Sequence, residues 1–127
     1  MERDHFREME QINFPKRGEI YFVALDPTIG SEIGKSRPAL VISNDINNEN
    51  SDTVTVIPIT SKITKAYPFE VLINKEEAGL SEESKIKCNQ IRTVDKKRLI
   101  KKIGTLTDRK IKEVERAILI HLGIERI

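Results

Sequence analysis

Between Ile20 and Leu106 the sequence offers one short β-forming apolar run after another, and no helix-length period separates them. Ile20-Tyr21-Phe22-Val23-Ala24-Leu25 is continuously apolar, the pattern of a strand buried on both faces, and Ala39-Leu40-Val41-Ile42 reads the same way. Thr53-Val54-Thr55-Val56 alternates, and Pro58 behind it marks a strand end or an edge, because proline has no N–H to give a ladder. Phe69, Val71 and Ile73 alternate with Glu70, as on a half-buried strand. In Lys85 to Val94, Ile86 and Cys88 share a phase and Ile91 is out by one residue. A β-bulge near Asn89-Gln90 would restore the apolar face; a plain break into two short strands is the alternative. Asp95 to Arg98 reads as a turn, and Ile103-Gly104-Thr105-Leu106 as a last strand.

From Asp108 the period becomes helical, with Ile111, Val114, Ile118 and Leu122 on one face, Thr107 as N-cap and Gly123 as C-cap. His121 lies beside that face and reads as a packed histidine. Phe6, Met9 and Ile12 repeat every three residues ahead of Pro15, which fits a short amphipathic helix in an N-terminal extension, residues 1–15. A doubly wound sheet needs helices between its strands, and none is legible here. The expected class is mostly β (α+β): a small, mainly antiparallel barrel with a C-terminal α-helix.

At 127 residues the chain suits one domain, and 38% hydrophobic with 33% charged residues is a globular balance. No apolar run nears the ~20 residues needed to span a bilayer, and the acidic N-terminus lacks a secretory h-region, so a cytoplasmic location is expected. Cys88 is the only cysteine, and with His5 and His121 as the only histidines it cannot complete a structural zinc site. Any catalysis should run without a protein-bound metal or cofactor. Lys85 to Lys112 carries eleven Lys/Arg against Asp95 and Asp108. On charge alone this is either a polyanion-facing surface or a solvated lysine-rich face.

The loop Asp26 to Arg37 holds Gly30 and Gly34, which make it mobile, and ends in Lys35-Ser36-Arg37-Pro38. Pro38 restricts Arg37 to an extended conformation at the mouth of a buried strand. Arg37 could reach the loop's concave side, or pair with Glu32 or another acid. Thr60 and Ser61 follow a second buried run and can donate to phosphate oxygens, or simply make a turn.

Taken in order, Arg17-Gly18-Glu19-Ile20-Tyr21-Phe22, Leu25-Asp26-Pro27-Thr28-Ile29-Gly30-Ser31-Glu32 and Ser36-Arg37-Pro38-Ala39-Leu40-Val41-Ile42 resemble the MazF/PemK (Kid) toxin family. Ser43-Asn44-Asp45, Pro58-Ile59-Thr60-Ser61 and Gln90-Ile91-Arg92-Thr93-Val94-Asp95-Lys96-Lys97-Arg98-Leu99 continue the match, which runs from about Lys16 to Gly123. The resemblance implies a toxin domain over 16–124 with an SH3-like antiparallel β-barrel, in a homodimer whose subunits share an RNA groove. It implies ribosome-independent, metal-free cleavage of single-stranded RNA to 2′,3′-cyclic phosphate and 5′-hydroxyl ends. The partner would be a cognate antitoxin whose acidic C-terminal segment fills that groove.

Arg37 matches the family's catalytic arginine and Thr60 its catalytic threonine, with Ser61 beside it and Glu32 in place of the usual loop carboxylate. A guanidinium stays protonated and offers a bidentate fork to phosphate, so Arg37 is expected to hold transition-state charge rather than to act as a base. Ser31, Lys35, Ser36, Lys62, Lys87, Asn89, Gln90 and Arg92 are the expected RNA-binding residues, with Gln90 and Arg92 also able to support the dimer. The plasmid-borne branch carries Arg-Cys-Asp-Gln where this chain has Lys87-Cys88-Asn89-Gln90, and a histidine where it has Ser31. Asn89 has no proton to exchange, which leaves the simpler Arg–Thr arrangement. Tyr67 and Phe69 could stack on bases, though Phe69 also reads as core. Two other functions fit the barrel: a non-enzymatic toxin binding a protein such as gyrase through its C-terminal helix, and a weakened relative that only binds RNA.

Overall fold

A computed structural model describes residues 13–127. The helix expected in residues 1–15 falls mostly on residues outside that range. Seven strands follow: β1 (Glu19–Ala24), β2 (Ser36–Val41), β3 (Thr53–Thr60), β4 (Glu70–Ile73), β5 (Ser84–Lys87), β6 (Arg92–Asp95) and β7 (Leu99–Thr105). Their pairings are antiparallel, in the order β4-β5-β3-β2-β1-β7, with β6 also on β3. Among the described residues the fold is therefore a mostly antiparallel sheet with one substantial helix, at its C-terminal end.

Pro58 lies inside β3, not at its end. It faces Ala39 of β2, and the other side of β3 passes from β6, which reaches Val56, to β5, which begins at Ile59. A residue without an N–H fits the gap where the ladder changes partner. The same switch replaces the bulge expected near Asn89-Gln90. β5 and β6 are separate short strands joined by a 3₁₀ turn, Cys88–Gln90. Register shifts occur instead between β1 and β7.

Two short helices interrupt the strands, contrary to the expectation of none: α1 (Asp45–Asn50) and α2 (Lys75–Ala78). Asn44 caps α1 by accepting from the Asn47 N–H at 2.8 Å. The buried Asn48 donates to the Ser43 carbonyl at 2.8 Å, so the Ser43-Asn44-Asp45 motif secures the β2–β3 connection. Neither helix makes a parallel crossover. β7 begins at Leu99, four residues before the expected start, behind a 3₁₀ turn at Lys96–Arg98.

The sheet is buried on both faces. Ile20, Leu40, Ile57, Ile59 and Ile86 form one core with Ile111, Val114 and Ala117 of α3 (Asp108–His121). Val23, Leu25, Ala39, Val41, Val54, Val56 and Val94 form the other, with Ile33 from the first loop packed on it. Thr107 caps α3 as expected, accepting from the Lys110 N–H, and Gly123 adopts φ 74° one residue past the Leu122 cap. His121 is exposed rather than packed, its ring centroid 6.0 Å from that of Phe69.

Beyond β4, the end of α2 meets β7 backbone to backbone. A Cβ on Gly104 would lie 2.3 Å from the Ala78 carbonyl oxygen, so only glycine permits this approach. The contact fixes residues 79–84 beside β7, where they wall a cavity next to Arg37.

Candidate active site

Arg37 lies in β2 opposite Val23, with Pro38 keeping the strand extended. Its Nε donates to the Gly34 carbonyl at 2.9 Å, which fixes the plane of the guanidinium. The two terminal nitrogens remain free, and no ion pair joins Arg37 to Glu32 or any other acid among the described residues. The salt-bridge alternative is thus not realised.

The first loop is held more tightly than its glycines suggest. The Asp26 carboxylate accepts from the Lys35 backbone N–H and from the Thr28 hydroxyl, and these bonds hold its pKa below the usual range. A Cβ on Gly34 would fall 2.2 Å from Asp26 Oδ1, so this glycine permits a closed neck and is no hinge. Arg98 donates to the carbonyls of Ala24 and Asp26. Gln90 accepts from the Ile33 N–H at 3.3 Å and donates to the Ser31 carbonyl at 3.5 Å. The Gln90 amide, expected to meet RNA, is occupied in holding the loop.

Arg37, Thr60, Ser31, Glu32, Lys62 and Lys87 line one cavity of about 350 Å³, together with Lys85. Thr60 Oγ1 accepts from the Lys62 N–H at 3.2 Å. A hydroxyl that accepts through one lone pair keeps its hydrogen to donate, so Thr60 is oriented with its donor available. One Glu32 oxygen accepts from the Ile29 N–H at 2.7 Å and leaves the other without a partner among the described residues. Ser61 is not in this cavity. Successive residues at the end of β3 point to opposite faces, and Ser61 lines a second cavity across Arg37. Lys35, Ser36, Asn89 and Arg92 line neither.

Sequence reasoning misses Glu70. It was expected to face solvent, yet its side chain is fully buried while Leu72 is half exposed. Its carboxylate takes Lys85 at 3.1 Å and Lys87, its direct cross-strand partner, at 2.9 Å. Burial opposes its charge, but the Tyr67 N–H and the two ammonium groups outweigh that cost and hold its pKa below the ordinary value. The cavity thus carries two lysines whose mutual repulsion is offset from behind. Two lysines at i and i+2 on one strand were the available signal, since both must point to one face.

Cys88 is buried beside this cluster, and burial with the nearby Glu70 charge pushes its thiol up to about 12, too high for a nucleophile. Tyr67 and Phe69 stack on each other at 5.2 Å. Among the described residues no group of three or more His, Cys, Asp or Glu could hold a metal ion, and no helix is long and apolar enough to cross a membrane. The basic segment is not one uniform face. Lys85, Lys87, Arg98, Lys102 and Lys110 make internal contacts, whereas the side chains of Arg92, Lys96, Lys97, Lys101, Arg109 and Lys112 show no hydrogen bond or ion pair among the described residues.

Over residues 16–122 the sequence matches the family described as PemK-like, MazF-like toxin of type II toxin–antitoxin system. It is 46% identical over 113 residues to endoribonuclease MazF of Staphylococcus saprophyticus, covering 88% of this chain and 94% of that protein. It is 39% identical over 114 residues to endoribonuclease MazF9 of Mycobacterium tuberculosis, covering 86% and 97%. The crystal structure of MazF (form I) from Deinococcus radiodurans matches with a TM-score of 0.75 at 28% identity, over 87% of this chain and 97% of that one. A MazE–MazF structure (form III) from the same organism matches with a TM-score of 0.69 at 24% identity, over 88% and 99%. With residues 16–122 matched by the family and two curated relatives aligned over most of the chain, the chain belongs to the PemK/MazF family of type II toxin–antitoxin toxins.

Proposed function

We propose that the protein is a sequence-selective, ribosome-independent endoribonuclease that cleaves single-stranded RNA without metal. The observation carrying this reading is that Arg37 and Thr60 share one cavity with their donors unspent. The scissile phosphate docks against the free edge of the Arg37 guanidinium, with the Thr60 hydroxyl donating to a non-bridging oxygen. The 2′-hydroxyl attacks phosphorus, the 5′-oxygen leaves with a proton, and the products are a 2′,3′-cyclic phosphate and a 5′-hydroxyl. Arg37 stabilises the charge that grows on the phosphorane, a role in which one preorganised donor contributes ~2.7–4 kcal/mol. Lys87 and Lys85 raise the local positive potential. Glu32, with one oxygen free, is the candidate base for the 2′-hydroxyl.

The remainder of the reading follows the relatives. Residues 16–124 form the toxin domain, an SH3-like barrel that pairs into a homodimer around an RNA groove. A cognate antitoxin with an acidic C-terminal segment competes for that groove, in keeping with the solved MazE–MazF assembly. The test is to incubate the pure protein with single-stranded RNA in EDTA and map the ends. Cuts at a short recurring sequence with 5′-hydroxyl ends are expected. Intact RNA, or 5′-phosphate ends, would overturn the proposal.

A further inference from the structure

The cavity across Arg37 has no part in the phosphate chemistry above, and it is the larger of the two at about 460 Å³. Phe22, Pro38, Ile59 and Ile103 give it an apolar floor, and the exposed side chains of Glu82 and Lys101 stand at its rim. Because Arg37 lines both cavities, a phosphate held on one side of the guanidinium leaves its own nucleotide beside the other.

We propose that this second cavity seats a nucleobase flanking the scissile phosphate, and that it selects bases bearing an exocyclic amino group over uracil. The proposal rests on the endoribonuclease reading and adds a substrate preference to it. Phe22 is only partly buried, and an aromatic face is what an unstacked base packs against in single-stranded RNA. The Glu82 carboxylate has no hydrogen-bond or ion-pair partner among the described residues, although Lys101 lines the same cavity. An ionised carboxylate only accepts hydrogen bonds. It therefore complements the amino groups of cytosine, adenine and guanine, whereas uracil has only its N3–H to donate, set between two carbonyls that meet the carboxylate acceptor to acceptor.

The wall carrying Glu82 is also held in place. Gly79 and Gly104 pack backbone to backbone, and Ser84 Oγ donates to the Glu82 carbonyl at 3.0 Å. A carboxylate on a fixed wall discriminates better than one on a free loop, since less ordering is spent on binding.

The experiment uses the full-length protein and single-stranded RNA randomised around the cut. Sequencing the 5′-hydroxyl ends gives the base preference at the two positions flanking the scissile bond. The wild type is expected to disfavour uracil at one of them by about tenfold or more. Glu82→Ala is expected to lose most of that bias while still cutting, and Phe22→Leu to raise KM about tenfold with the bias retained. Wild-type cleavage with no bias against uracil at either position overturns the proposal, as does a Glu82→Ala variant with full bias. If the wild type does not cut at all, the endoribonuclease reading has failed first and takes this proposal with it.

Discussion

Glu70 and Lys87 face each other across β4 and β5, and their side chains close an ion pair of 2.9 Å with the carboxylate fully buried. Lys85 joins the same carboxylate from two residues away. One hidden acid thus sets the position of two cations in the cavity that holds Arg37 and Thr60.

Glu70→Gln keeps the shape and removes the charge, stranding two lysines that are mostly buried. Breaking such a group from one side costs about 3 kcal/mol, measurable as a lowered urea midpoint at pH 7. The pH dependence has a definite sign. The folded pKa of Glu70 lies below the ordinary 4.5, so its stabilisation is complete above that value and fades as pH falls through the folded pKa. The gap between wild type and variant is therefore expected to be widest near neutrality and to narrow toward pH 3. A constant gap across that range would contradict the ion-pair account.

Gly34→Ala drives a Cβ into Asp26 Oδ1, which is already bonded to the Lys35 N–H and the Thr28 hydroxyl. The neck must open, and the carbonyl that receives Arg37 Nε moves with it. Displacements of about 1 Å near a reacting group can cost on the order of 100-fold in rate. The expectation is a fall in kcat with circular dichroism and melting little changed. Unaltered kcat would show that the neck does not position Arg37.

Gly104→Ala separates stability from chemistry. Its Cβ meets a backbone carbonyl at 2.3 Å, which cannot rotate away as a side chain could. Overpacking of this kind costs about 1–3 kcal/mol, giving a lower melting temperature with cleavage retained below it. A variant as stable as wild type would mean that α2 and β7 are not pressed together as described.

Much of this molecule was legible in its sequence, and the exceptions share a cause. Apolar runs located β1 and β2 because both faces of those strands are buried, which needs no knowledge of neighbours. The α3 helix was legible from its period and its Thr107 cap. Glu70 and Pro58 sit otherwise than their local pattern predicts, and Ser61 parts from Thr60, because each depends on what lies alongside. Alternation put Glu70 toward solvent, whereas two lysines across the sheet stabilise it inside. Pro58 sits within a strand only because β3 changes partner there. Thr60 and Ser61, neighbours in sequence, part company at a strand end and enter different cavities. Arg37 and Thr60 are singled out by the family's motifs alone; loop position by itself favours a salt bridge for Arg37.

The central claim is that Arg37 supplies charge stabilisation to RNA cleavage, and the single-turnover cleavage rate of Arg37→Ala in EDTA tests it most directly. The variant is expected to fold normally and to cut about 100- to 1,000-fold more slowly than wild type, with Arg37→Lys intermediate because it restores a point charge without the fork. An Arg37→Ala protein that cuts the same RNA as fast as wild type would contradict the account.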